Sequence, residues 1–316
     1  MTAATRLPDA PPDNWVDRFA PQSLRPWLKL ARFDRPAGAW LLLLPAWQGV
    51  ALAGAQNGRW PDLWLLVLMA VGAFVMRGAG CAYNDIVDRD FDAKVARTAL
   101  RPIPSGQIGV RAALAYAVGL SLVGLIVLVM LKPAAIALGV GSLVLVAAYP
   151  FMKRITWWPQ AWLGLTFNWG ALLGYAAATG TLGWPAALLY ASGIFWTLGY
   201  DTIYAVQDME DDALAGVKSS ALRLGARAPQ AVAGFYAVCF VLALAAAWSA
   251  KLGPLFLPFL GLYAFHLSWQ AARLRVDDGA LALKLFRANR TAGLILFAGL
   301  IAGLWRHAGA FQSSLG

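Results

Sequence analysis

The stretch "AYNDIVDRDFDAK", residues 82–94, sets one asparagine and four aspartates directly after an apolar run that begins near Leu63. Those four are a quarter of the chain's 16 acidic residues. If the helix implied by the apolar run continues through the stretch, Asn84, Asp88 and Asp92 fall at i, i+4 and i+8. Their oxygens then line one helical face, drifting only about 40° per step. A second acid-rich stretch, "DTIYAVQDMEDD", residues 201–212, follows a later apolar run. Asp208 and Asp212 repeat the four-residue spacing, with Asp211 beside them, and Asp201 lies seven residues before Asp208. Seven residues are about two turns, so Asp201 shares nearly the same stripe roughly 10 Å deeper.

The rest of the chain places both stretches at a membrane. Of 316 residues, 60% are hydrophobic and 13% charged, with mean hydropathy +0.60. A soluble domain carries about 25% charged residues, so the composition is that of an integral membrane protein in contact with lipid. A bilayer core of roughly 30 Å needs about 20 apolar helical residues per crossing. Nine segments qualify, near 38–56, 61–83, 110–131, 133–150, 160–179, 183–204, 230–249, 253–271 and 289–306. The expected fold is all-α: one polytopic domain over 27–316, nine transmembrane helices around a central cavity open to the cytoplasmic side. Residues 1–26 form a polar, Pro-rich cytoplasmic tail without an apolar signal-peptide core. A chain of this kind is expected in a bacterial inner membrane, with the mitochondrial inner membrane as the alternative. Cys81 and Cys239 fall inside apolar runs far apart in sequence, as core thiols do.

Basic residues give the orientation. The tail and the loops after helices two, four, six and eight, with their flanks, hold 6, 6, 2, 3 and 5 Lys or Arg, 22 of 26. Cytoplasmic loops carry such an excess, so the net charge of +10 calls for no nucleic acid. Apart from Asp62, every acidic residue lies on that side or runs into it. Two acid clusters on one side imply one shared site.

Clustered carboxylates repel each other unless something cationic sits between them. Magnesium suits hard oxygen ligands, takes one or two carboxylates, and completes its shell with waters and phosphate oxygens. Asn84, Asp88, Asp92, Asp208, Asp211 and Asp212 are the candidate ligands. Bases for a diphosphate follow each cluster: Lys94, Arg97 and Arg101, then Lys218 and Arg223, with Lys153 and Arg154 in "YPFMKR" on the same side. The loop "RPIPSG", residues 101–106, has turn punctuation but no glycine-rich phosphate loop, which argues against ATP hydrolysis. A secondary transporter would carry its carboxylates near the midplane of broken helices. These lie mainly at one edge, beside phosphate-binding bases. A non-catalytic assembly protein would leave the carboxylate stripes unexplained.

In these residues the chain resembles the UbiA superfamily of intramembrane prenyltransferases, whose signatures are an asparagine with aspartates at four-residue spacing and a later aspartate-rich motif. The strings "RFDRPAGAWLLLLPAWQG", "NDIVDRDFDAKVARTALRPIPSG", "YPFMKRITWWPQAWLGLTFNWG" and "YDTIYAVQDMEDDALAGVKSSALRLG" span residues 32–225. They are most similar to members acting on 4-hydroxybenzoate; others act on naphthoate, homogentisate or haem precursors. The second motif reads "DMEDD", where relatives often carry a basic residue, so Met209 and Glu210 depart from the pattern and Lys218 or Arg223 would substitute.

The resemblance implies transfer of a polyprenyl chain from polyprenyl diphosphate to the ring carbon ortho to the 4-hydroxybenzoate hydroxyl, in ubiquinone biosynthesis, with no protein partner evident. Asp88, Asp92, Asp208 and Asp212 are then catalytic through magnesium, and Arg97, Arg101, Lys153 and Lys218 contact phosphate. Tyr149 and Tyr204 are candidates, with Tyr83, Tyr175 and Tyr200, to face the allylic cation. Arg154, ahead of Arg32 and Arg35, is expected to grip the benzoate carboxylate. Asp201 is a candidate proton acceptor, and Asn168 a cavity-lining or bundle residue. His266 reads as a bundle residue, and residues 274–290 as an amphipathic cytoplasmic segment facing lipid.

Overall fold

The computed structural model describes residues 10–305 apart from 12, 95–97 and 215. Its helices are α1 (Trp15–Phe19), α2 (Arg25–Leu30), α3 (Ala37–Gln56), α4 (Leu63–Asp92), α5 (Val110–Val129), α6 (Pro133–Ile155) and α7 (Pro159–Thr179), then α8 (Trp184–Gln207), α9 (Met209–Leu214), α10 (Ser220–Leu224), α11 (Ala228–Ser249), α12 (Phe256–Arg273) and α13 (Gly279–Ala302). Among the described residues there is no strand, and nine helices have 18 or more residues. Six of the nine are long and apolar enough to cross a membrane: α3, α4, α5, α6, α11 and α13.

The other three, α7, α8 and α12, are less apolar because they carry buried polar groups: Gln160 and Asn168, then Ser192, Thr197 and Thr202, then Gln270. Each of these six is at most 5% exposed. Their polarity is turned inward, where hydrogen bonds meet most of it and Asn168 Oδ1 has no partner among the described residues. By contrast, α5 and α6 expose Leu114, Val118, Leu122, Ile126, Val140 and Val144, the outward apolar face that lipid requires.

The chain divides into two compact units, one of residues 1–40 and 70–130, the other of residues 41–69 and 131–316. The first packs Leu30, Ala82, Ile103, Ile108, Ala113 and Ala117 together, with Trp27, Ile86 and Tyr116 against them. Within it, Lys29 Nζ meets Asp17 Oδ1 at 2.7 Å. Partial burial pushes the Asp17 carboxyl up, but the bonds from Lys29 and Asn14 outweigh it and hold the group below its ordinary range. α4 runs nine residues past the expected end at 83, through the whole acid stretch.

In the second unit, α8 is surrounded by α7, α11 and α13 in a core that includes Phe167, Trp196, Tyr236 and Leu285. α3 meets α7 almost backbone to backbone: a Cβ on Gly174 would collide with the Ala46 carbonyl oxygen, and one on Gly49 with the Ala171 carbonyl oxygen. Small residues allow this approach, which substitutes for hydrophobic driving force inside a bilayer. The segment at 274–290 read as amphipathic is largely the start of α13, ten residues ahead of the helix start expected at 289. In its first three turns Ala282, Leu285 and Asn289 are buried while Lys284, Arg287 and Arg290 are exposed.

Gly174→Val should lower the thermal midpoint in detergent by the equivalent of about 1–3 kcal/mol, the usual cost of overpacking. Gly234→Ala, on α11 with open space where a Cβ would go, should leave it unchanged or slightly raised. Equal midpoints for both variants would refute the tight α3–α7 contact.

Candidate functional site

In the first unit the acid stretch occupies the last turns of α4. Asn84 Nδ2 donates to Asp88 Oδ2 at 3.1 Å, the expected contact of residues four apart on a helix. Asp88 is 1% exposed. Asp85, absent from the sequence-derived set, is fully buried. Its two carboxylate oxygens accept from Arg32 Nη2 at 2.7 and 2.9 Å. Arg101 Nη1 reaches Asp85 Oδ1 at 3.4 Å and donates to Asp92 Oδ2 at 2.8 Å. Helical geometry explains the grouping. At about 100° per residue, Asp92 lies within about 20° of Asp85 but about 80° from Asn84. The stretch therefore carries two stripes: Asn84 with Asp88, and Asp85 with Asp92. The signal was the seven-residue spacing of Asp85 and Asp92, overlooked beside the four-residue one. Arg35 Nη1 lies 3.5 Å from its neighbour Asp34. Arg97 is outside the described residues.

In the second unit, Asp201 sits on α8 and Asp208 closes that helix as its C-cap. The chain then turns into α9, with Asp212 N donating to Asp208 O at 2.8 Å. The four-residue spacing here crosses a helix junction, unlike that on α4. Asp208 is 8% exposed, and its Oδ1 accepts from Gln207 Nε2 at 3.1 Å. Glu210, Asp211 and Asp212 occupy the first turn of α9, where negative charge is favoured by the helix dipole.

The bases of this unit gather at the end of α6. Lys153 and Arg154 are in its last turn, with Arg154 exposed and its guanidinium carbon 5.9 Å from the Phe151 ring centroid. Lys218 N donates to Lys153 O at 3.1 Å, and Lys218 Nζ to Ile155 O at 3.2 Å. Lys218 thus serves carbonyls left open by the helix terminus. Tyr149 lies half-buried on α6, and half-buried Tyr204 on α8 has its ring 4.7 Å from that of Phe286.

The model of the UbiA prenyltransferase family matches residues 42–303, a span that contains both acid stretches. This chain belongs to the UbiA prenyltransferase family. It is 46% identical over 290 residues to the mitochondrial 4-hydroxybenzoate polyprenyltransferase of Homo sapiens, covering 91% of this chain and 78% of that protein. The Arabidopsis thaliana protein of the same name is 43% identical over 292 residues, covering 92% and 71%. Among solved structures, a UbiA homologue from Aeropyrum pernix K1 superposes with TM-score 0.68 at 27% identity, covering 83% of this chain and 96% of that one. One from Archaeoglobus fulgidus, bound to GPP and Mg2+, gives 0.65 at 18% identity, covering 86% and 99%; at that identity the likeness speaks for the fold alone.

The family likeness raises the question of a metal. Among the described residues of this UbiA-family chain, no three His, Cys, Asp or Glu side chains converge on a point a metal ion could occupy. A magnesium ion completed by waters and substrate oxygens needs only one or two carboxylates. The donor chemistry of Asn84 and Asp88 fits that requirement, since both carry hard oxygens and the Asn84 amide nitrogen already bonds Asp88 Oδ2. Asp92 has one oxygen engaged by the cationic Arg101, as Asp88 has one engaged by the neutral Asn84 amide.

Asn168, expected either at a cavity or within the bundle, is 1% exposed. Its Nδ2 donates to Gly164 O at 2.9 Å and to Thr197 Oγ1 at 2.7 Å, and Thr197 Oγ1 donates to Tyr200 OH at 3.0 Å. The amide joins α7 to α8. Gln270 binds His266, Tyr236 and Asn289 in a similar buried network, so His266 is a bundle residue. Asn168→Leu should lower the thermal midpoint by the equivalent of about 1–3 kcal/mol, the cost of leaving buried polar partners unmet. An unchanged midpoint would deny the amide that role.

Proposed function

We propose that this chain transfers a polyprenyl group from polyprenyl diphosphate to the ring carbon ortho to the hydroxyl of 4-hydroxybenzoate, releasing pyrophosphate, and so serves ubiquinone biosynthesis. The observation that carries the reading is the 46% identity, over 91% of the chain, to a relative named for 4-hydroxybenzoate polyprenyl transfer. The acid stretches and the bases beside them supply the chemistry.

Asn84, Asp88, Asp208 and Asp212, with Asp92 and Asp211 in support, are the proposed magnesium ligands. Bound there, magnesium would neutralise the leaving diphosphate. Arg97, Arg101, Lys153 and Lys218 bind phosphate oxygens as charge-assisted donors. Tyr149 and Tyr204 turn ring faces to the allylic cation, and membrane depth keeps water from capturing it. Arg154 holds the benzoate carboxylate, Arg32 and Arg35 being the other candidates for that task. When the new carbon–carbon bond has formed, the ring carbon must lose its proton, and Asp201 is the proposed acceptor. Asn168 supports the site through α7 and α8.

We further propose that residues 27–316 act as one domain in which all nine long helices cross the membrane, with the site at its cytoplasmic edge. The 22 of 26 basic residues on one set of loops support that orientation. The named relatives are mitochondrial, so the expected bacterial inner membrane draws no support from them.

The test uses purified full-length protein with magnesium, a radiolabelled polyprenyl diphosphate and 4-hydroxybenzoate, with and without a chelator. Chelator-sensitive prenylated 4-hydroxybenzoate is the expected product. Diphosphate consumption without it would redirect the acceptor to a naphthoate, homogentisate or haem precursor. Asp88→Ala and Asp208→Ala should each cut product formation by about 100-fold or more while leaving folded protein in the membrane; full activity in both would sink the metal assignment. Arg154→Ala should raise KM for 4-hydroxybenzoate about tenfold, and KM for the diphosphate much less. The opposite pattern would assign Arg154 to the diphosphate.

A further inference from the structure

We propose that Asp85 is a positioning residue for the prenyl diphosphate: held by Arg32, it fixes the guanidinium of Arg101 and through it the carboxylate of Asp92. The inference rests on the functional reading above and adds to it a residue on the second stripe of α4.

Four side chains form an unbroken series of charge-assisted contacts within the first unit, in the order Arg32, Asp85, Arg101, Asp92. Asp85 is fully buried, and the side chains of Arg32 and Arg101 are only 11% and 15% exposed. A carboxylate with no access to water is sustained by paired charge and hydrogen bonds, and both of its oxygens are bonded to Arg32. The guanidinium carries five donors in a rigid plane. A carboxylate that fixes one edge therefore fixes the direction of all five, which a flexible lysine would not offer.

The backbone at Arg32 gives independent support. Arg32 has φ +62° and directly follows the C-cap of α2, a seat normally taken by glycine because a Cβ is disfavoured there. Its amide bonds Lys29 O at 3.0 Å, and the Phe33 amide bonds Leu28 O at 2.9 Å. The turn is thus a well-formed helix end in which an arginine occupies the place of a glycine. Backbone cost of this kind is tolerated where a side chain is needed, and this one is aimed at Asp85.

Asp85 differs from Asp88 in its work. Asp88 pairs with Asn84 and faces the proposed ligand stripe, whereas Asp85 sits about 100° round the helix from Asn84 and meets arginines. Without the Asp85 charge, Arg101 loses its contact with Asp85 and keeps the one with Asp92. The Arg101 guanidinium then samples more orientations, and the diphosphate must order it on binding.

The experiment measures equilibrium binding of geranyl diphosphate, with magnesium, to the full chain in detergent, alongside the thermal midpoint. Asp85→Asn should weaken binding by about tenfold, the scale of one charge-assisted bond. In an Arg101→Ala background the same substitution should cost less than about twofold, because coupled residues are not additive. Equal losses in both backgrounds, or no loss in either, would overturn the proposal, since a merely structural Asp85 would not depend on Arg101 for its effect on binding. If Asp85→Asn does not fold, Asp85→Glu keeps the charge but moves it by one methylene, and the same dependence on Arg101 decides. Unmodified protein that fails to bind geranyl diphosphate with magnesium would overturn the functional reading itself, a result separable from any behaviour of the Asp85 variants.

Discussion

A carboxylate shut away from water at the end of a membrane helix is costly unless cations meet it, and Asp85 meets two. That constraint organises the first unit. It seats Arg32 in a left-handed turn and draws Arg101 back across the end of α4, while Asn84 bonds Asp88 on the same helix. The alternation of stripes follows from the helix itself, because residues seven apart align more closely than residues eight apart. The acid stretch is thus two devices wound on one helix, one made of oxygen donors and the other of ion pairs.

The second unit meets the same problem of polarity with neutral groups. Its helices α7, α8 and α12, which carry buried amide and hydroxyl groups, are those outside the composition limit for a span. Asn168, Thr197 and Gln270 bond across helices where lipid-facing positions on α5 and α6 carry leucine and valine. Within this unit α3 and α7 approach closely through Gly49 and Gly174, where the chain has no side chain to place between two backbones.

Much of this was legible in the sequence, and the residues show why the rest was not. The apolar runs gave the long helices to within a few residues at most ends, and the four-residue spacing of Asn84 and Asp88 gave their contact. α4 continues to Asp92 because nothing between 83 and 92 breaks a helix, so the expectation of one shared face was geometrically sound for that pair. Asp92 escaped it because accumulated drift over eight residues exceeds what one stripe tolerates. The bond between Arg32 and Asp85 joins residues 53 apart, and no local pattern encodes such a pairing. At Asp208 the sequence shows the same spacing as on α4, yet a helix ends there; the carbonyl of Asp208 still accepts from Asp212, so local hydrogen bonding persists while the axis changes. Residues 274–290 read as amphipathic, and their helical part bears this out, with Lys284, Arg287 and Arg290 exposed and Ala282, Leu285 and Asn289 buried.

Lys218 joins places that lie far apart in the chain. It holds the last turn of α6 by two bonds, one from its backbone amide and one from its side chain, and Ile155 is 63 residues away. The turn it grips carries Arg154, and the segment it belongs to leads out of the acidic helix α9. The clasp therefore ties the turn that carries the exposed guanidinium to the segment that follows the acids of α9.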